Sequence, residues 1–148
     1  MSRTRRRTFL ALSAAAIGML AMLAVAWPGY AQPTNDRLEV FYLSAPDCPY
    51  CAHWESQSRA AFLASPEGKA VQFVEIRGAT LREPIDARHY PPEHRWVFEQ
   101  IGPSRGVPRF LLAINGKIAV SAYGTGGYSS KFLPALKQAL ARRQMEKT

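Results

Sequence analysis

Cysteine is nearly absent from this chain: two residues in 148, Cys48 and Cys51, with Pro49 and Tyr50 between them. An exported domain stapled by disulfides needs more cysteines at wider spacings, so this core must hold by packing and the pair is reserved for chemistry. No Asp or Glu precedes Asp36, and no internal repeat is present. No His follows Cys51, where Ala52 stands, which excludes covalent haem attachment. No Met adjoins the cysteines, which counts against a copper site. No basic stripe interleaved with aromatics stands out, so nucleic acid is not expected as a partner.

The charge of +8 is unevenly placed. Four of the 19 basic residues, Arg3, Arg5, Arg6 and Arg7, lie in the first seven positions; without them, 15 remain against 11 acidic residues, a net +4. Behind them Phe9 to Trp27 is an uncharged apolar run, and Gly29-Tyr30-Ala31 supplies small residues for a peptidase. Residues 1–31 thus read as an export signal. Arg6-Arg7-Thr8-Phe9-Leu10 resembles a twin-arginine core, with Arg5 where Ser or Thr is usual. A general secretory signal and an uncleaved inner-membrane anchor remain open, since 19 residues just suffice to cross a bilayer. Each route places the domain in the periplasm of a bacterial cell. Residues 32–37 read as a linker and 38–148 as one domain.

Within that domain, Leu38–Leu43 reads as a buried strand, and Ser44–Asp47 as a turn into the cysteine pair. A helix is expected from Cys51 to about Leu63, stopped by Ser65-Pro66-Glu67-Gly68, and a strand over Ala70–Arg77. After a charged loop, a helix runs from Pro92 through Trp96, Val97 and Ile101 to Gly102. Val107–Ile114 and Lys117–Ala122, joined by Asn115-Gly116, make a hairpin. Ser129 or Ser130 caps the last helix, which carries Phe132, Leu133, Leu136 and Leu140 on one side and tolerates Pro134 in its first turn. The order is strand, helix, strand, helix, strand, strand, helix. It is satisfied by an α/β fold: a four-stranded mixed sheet with helices on both faces.

Cys48 follows a strand and opens a helix, where free N–H groups and the helix dipole favour thiolate over thiol. Cys51, one turn on, is close enough to form a disulfide and more shielded. The expected cycle is thiolate attack, a mixed disulfide and its resolution. The alternative use of the same thiolates is copper or zinc binding in a metallochaperone-like module, with His89 and His94 completing a zinc site.

Cys48-Pro49-Tyr50-Cys51 is similar to the glutaredoxin form of a redox motif, and Val107-Pro108 resembles the cis-proline dipeptide that faces it in the thioredoxin superfamily. The resemblance covers nearly all of Leu38 to Arg143. It implies a thioredoxin-like fold and a thiol–disulfide oxidoreductase with Cys48 as nucleophile and Cys51 as resolving thiol. It also implies that Pro49, Tyr50, Val107 and Pro108 form the substrate platform, the Val107 backbone pairing with an extended segment. Thiol or disulfide proteins are the implied partners, with an electron donor or acceptor in the membrane. No cofactor beyond the Cys48–Cys51 disulfide and no metal are expected. Tyr42 replaces the acid that thioredoxins bury six residues before the first cysteine, and Asp47 replaces a tryptophan, setting a negative charge beside Cys48. Gly126-Gly127 is out of register with the glutathione-binding glycines of glutaredoxins.

The remaining polar candidates carry less. His53 is expected on an exposed helix face, and His89 and His94 in a solvated loop. Trp54 and Trp96 are expected in the core.

Overall fold

The computed structural model describes residues 37–148. The expected export signal and all of the linker but Arg37 lie outside them.

Four strands make one sheet: β1 (Leu38–Ser44), β2 (Gln72–Arg77), β3 (Arg109–Ile114) and β4 (Lys117–Tyr123). Their order is β2-β1-β3-β4, with β1 and β2 parallel and the other two pairings antiparallel. This is the expected mixed sheet. All seven residues of β1 are buried because the strand is central and covered on both faces. Its side chains alternate: Val40 and Tyr42 enter one core cluster, Phe41 and Leu43 the other. At the β3–β4 turn, Asn115 and Gly116 both take positive φ, 52° and 76°, which suits the twist of a two-residue hairpin.

The first face carries the helix that follows β1. It runs from α1 (Pro49–Trp54) through a π-helical stretch (Glu55–Arg59) to α2 (Ala60–Ala64). Ser65 ends it and then caps a further turn, α3 (Pro66–Lys69), by accepting from Gly68 N–H at 3.1 Å. The expected stop signal is therefore also a start, and β2 begins at Gln72 rather than Ala70.

The opposite face carries α4 (Arg95–Ile101), preceded by two single 3₁₀ turns, Ala87–His89 and Pro92–His94. His94, expected in solvent, is only 5% exposed. Its ring meets Phe41 edge-on at 5.3 Å, and its Nε2 lies 3.6 Å from Glu39 Oε1. The reason is that Pro91-Pro92 turns the chain inward, so α4 enters the second core with His94 at its head.

The last helix also departs from expectation. It begins at Gly124, not beyond Ser130, running through α5 (Gly124–Gly127) and a π-helical stretch (Tyr128–Phe132) into α6 (Leu133–Glu146). Ser129 and Ser130 lie inside it and donate to Thr125 and Gly126 carbonyls at 3.2 and 2.8 Å. Burial of Tyr128 and Phe132 against Trp54, Phe62 and Phe110 outweighs the weak helix preference of the glycines. The π turn widens the helix just before Pro134, whose ring would otherwise strike a carbonyl one turn back.

Candidate active site

Cys48 is the N-cap residue of α1: its backbone is extended, and its Sγ accepts from Cys51 N–H at 3.0 Å. Pro49 occupies the first helical turn, where no N–H is needed. Cys48 and Cys51 are joined by a disulfide, with Cα atoms 5.2 Å apart. Both cysteines are buried, at 3% and 1% exposure, so the expected difference in shielding is small. Pro46, Asp47, Pro49 and Tyr50 around them are exposed, Tyr50 at 67%.

The two segments expected to face each other are both present at this end of the sheet. The Val107–Pro108 peptide is cis. Val107 packs against the cluster that contains both cysteines, and the Pro108 carbonyl accepts from Gly124 N–H at 2.8 Å. The histidines are not brought to the sulfurs. His53 is exposed on α1, and His89 accepts from Asp86 N–H at 3.1 Å within its own turn. Among the described residues no group of three or more His, Cys, Asp or Glu side chains could hold a metal ion.

Tyr42 stands beneath the motif. Its hydroxyl donates to Glu55 Oε1 at 3.1 Å and approaches the Cys51 carbonyl at 3.5 Å. Burial, followed by the neighbouring Glu55 carboxylate, pushes the Tyr42 phenol well above its ordinary range, so it stays protonated. Trp54 packs on the Tyr42 ring at 4.5 Å in the core, as expected, whereas Trp96 is only partly buried against the edge of the second core.

Three features were not foreseen from the residues. The Asp47 carboxylate accepts from Thr80 Oγ1 at 2.5 Å and Leu81 N–H at 2.7 Å, tying the loop after β2 to the motif. Those two hydrogen bonds, Thr80 first, hold its carboxyl below the usual carboxylate range. Glu55 has no marker in sequence beyond lying one helical turn after Cys51. Arg109, in contrast, was legible as an anomaly: it is the one charged residue in the apolar run Val107–Ile114. It is 9% exposed, donating from Nε to Ser121 Oγ at 2.9 Å and from Nη1 to Ser104 Oγ at 3.1 Å. Its guanidinium also lies 4.7 Å from the centre of the Tyr123 ring.

No protein-family model matches the chain, and no curated protein matches it. Solved structures do. The periplasmic thioredoxin SoxS from Paracoccus pantotrophus matches at 20% identity and TM-score 0.50, over 71% of this chain and 97% of that one. The Malassezia sympodialis thioredoxin Mala s 13 matches at 19% identity and TM-score 0.48, over 71% and 76%. Spinach chloroplast thioredoxin F matches at 16% identity and TM-score 0.47, over 78% and 87%. With its β2-β1-β3-β4 sheet and a disulfide at the helix that follows the central strand, this chain has the thioredoxin-like fold.

Proposed function

We propose that the protein is a periplasmic thiol–disulfide oxidoreductase that exchanges disulfides through Cys48 and Cys51. The observation that carries this reading is the Cys48 sulfur accepting a helix N-terminal N–H while bonded to a cysteine one turn away. That position stabilises the thiolate, the species that attacks.

In the reducing direction the Cys48 thiolate attacks one sulfur of a substrate disulfide. The Cys48–substrate bond forms as the substrate S–S bond breaks, and the other sulfur leaves as a thiolate. Cys51, once deprotonated, attacks Cys48 Sγ, closing the protein disulfide and releasing the second substrate thiolate. Two electrons pass to the substrate, and a dithiol donor at the membrane returns them to the protein. Oxidation of substrate thiols is the same sequence reversed. Pro49, Tyr50, Val107 and Pro108 border the approach and form the substrate platform. Export is supported by the Arg-rich, apolar first 31 residues and by the periplasmic description of SoxS.

Equilibration in thiol/disulfide buffers tests the chemistry. A potential near about −270 mV marks a reductase, and one near about −120 mV an oxidase. Failure to form the Cys48–Cys51 disulfide at any poise overturns the reading.

A further inference from the structure

Arg109 is a nine-tenths buried cation with no carboxylate paired to it among the described residues. Burying a guanidinium without a counter-ion costs stability that its serine partners only partly offset. Two of its donors are fixed on Ser121 and Ser104, while Nη2 makes no hydrogen bond among the described residues and is not fully enclosed. Nearby, the Tyr90 hydroxyl is buried without a partner, and Arg109 is close enough for its charge to act on that phenol. Tyr123, half exposed, covers the guanidinium, and its ring also borders Gly106, where an added Cβ would meet it at 3.0 Å. A cation without a carboxylate partner among the described residues is thus held beneath Tyr123, fixed to Ser104 and Ser121 by two of its nitrogens.

We propose that Arg109 recognises a substrate carboxylate on the residue directly adjacent to the reacting cysteine. The inference rests on the disulfide-exchange reading above and adds a substrate class to it: acidic cysteine-containing segments. The register follows from strand geometry. Val107 N–H and C=O have no backbone partner among the described residues, leaving them available to an added strand. Successive side chains of such a strand point to opposite faces. A substrate cysteine aimed at the α1 face sends its immediate neighbours to the other face. That is where β3 directs Arg109, alongside Leu111 and Ala113 of the second core. Asp47 does not compete for the guanidinium, because its two oxygens are held by Thr80 and Leu81.

The test uses reduced protein and synthetic peptides whose single cysteine is a neutral thiopyridyl disulfide. Glu is placed one or two residues from the cysteine, with Gln at the same positions as control. Thiopyridone release gives the second-order rate, normalised to the rate with a small neutral thiol. The adjacent-Glu peptide is expected to react roughly threefold to tenfold faster than its Gln control, the two-residue-removed Glu peptide no faster. Arg109→Gln should erase the ratio, and Arg109→Lys should keep part of it, since the charge stays while the planar fork is lost. Equal rates for adjacent Glu and Gln in the unmodified protein overturn the inference and leave the exchange activity standing. A Glu preference that survives Arg109→Gln also overturns it. Release from no peptide at all overturns the exchange reading itself.

Discussion

At the scale of single residues, the charge directly preceding Cys48 in the chain bears on which redox form is favoured. Asp47 is ionised at neutral pH like any ordinary carboxylate, and the hydrogen bonds from Thr80 and then Leu81 hold its carboxyl below the usual range. A carboxylate next to Cys48 disfavours the thiolate, hence the reduced form, and makes the couple more reducing. Asp47→Asn should therefore raise the potential by about 10–25 mV, the equivalent of a weak exposed charge interaction. A fall, measured against glutathione buffers, would show that the loop tether rather than the charge governs the couple. The same carboxyl carries a stability signature. Its folded pKa lies below the unfolded value of about 3.9, so its contribution is present above that pH and lost as pH falls through the folded value. The melting-temperature difference between the parent protein and Asp47→Asn should accordingly shrink between pH 5 and pH 2.

At the scale of elements, β1 shows both what local pattern encodes and what it hides. The apolar run Val40–Leu43 and the Asn115-Gly116 turn made β1 and the β3–β4 hairpin readable, because a buried strand and a positive-φ turn each restrict residue choice. The cysteine pair was readable for the same reason: a helix start after a strand fixes where the sulfur sits. The helix start at Gly124 was not, because four residues containing three glycines have no helical preference; the packing of Tyr128 and Phe132 decides it. Nor was the partnership of Glu39 and His94, 55 positions apart, which only the packing of α4 on β1 creates. Glu39 is 1% exposed and also pairs with Arg37 at 2.8 Å. Because Arg37 remains, His94→Ala should cost less than the ~3–5 kcal/mol typical of breaking a buried pair, while still adding the loss of the Phe41 contact. We expect about 2–3 kcal/mol in urea unfolding on those grounds. Glu39→Leu combined with His94→Leu should recover part of it, since replacing both removes the buried polar atoms that lack hydrogen-bond partners.

At the scale of the molecule, the sheet separates two ends that do different work. The seven residues of β1 span about 20 Å, with the Glu39–His94 pair at one end and the disulfide beyond the other. His94 lies that far from the sulfurs, and Arg37 keeps Glu39 paired when the imidazole is removed, so its loss should stay local to its own end of β1. Stability and redox poise should then be separable by position. His94→Ala should lower the melting temperature while moving the Cys48–Cys51 potential by no more than a few millivolts. Asp47→Asn should instead move the potential, with only the smaller stability loss of its two loop hydrogen bonds at neutral pH. In the double variant the two stability changes should add to within about 0.5 kcal/mol, as expected for sites with no shared partner. Their potentials should equal that of Asp47→Asn alone. A shift of 15 mV or more on adding His94→Ala would mean that β1 transmits packing changes from its buried pair to the helix that carries the sulfurs. The sheet would then be part of the redox machinery rather than only its support.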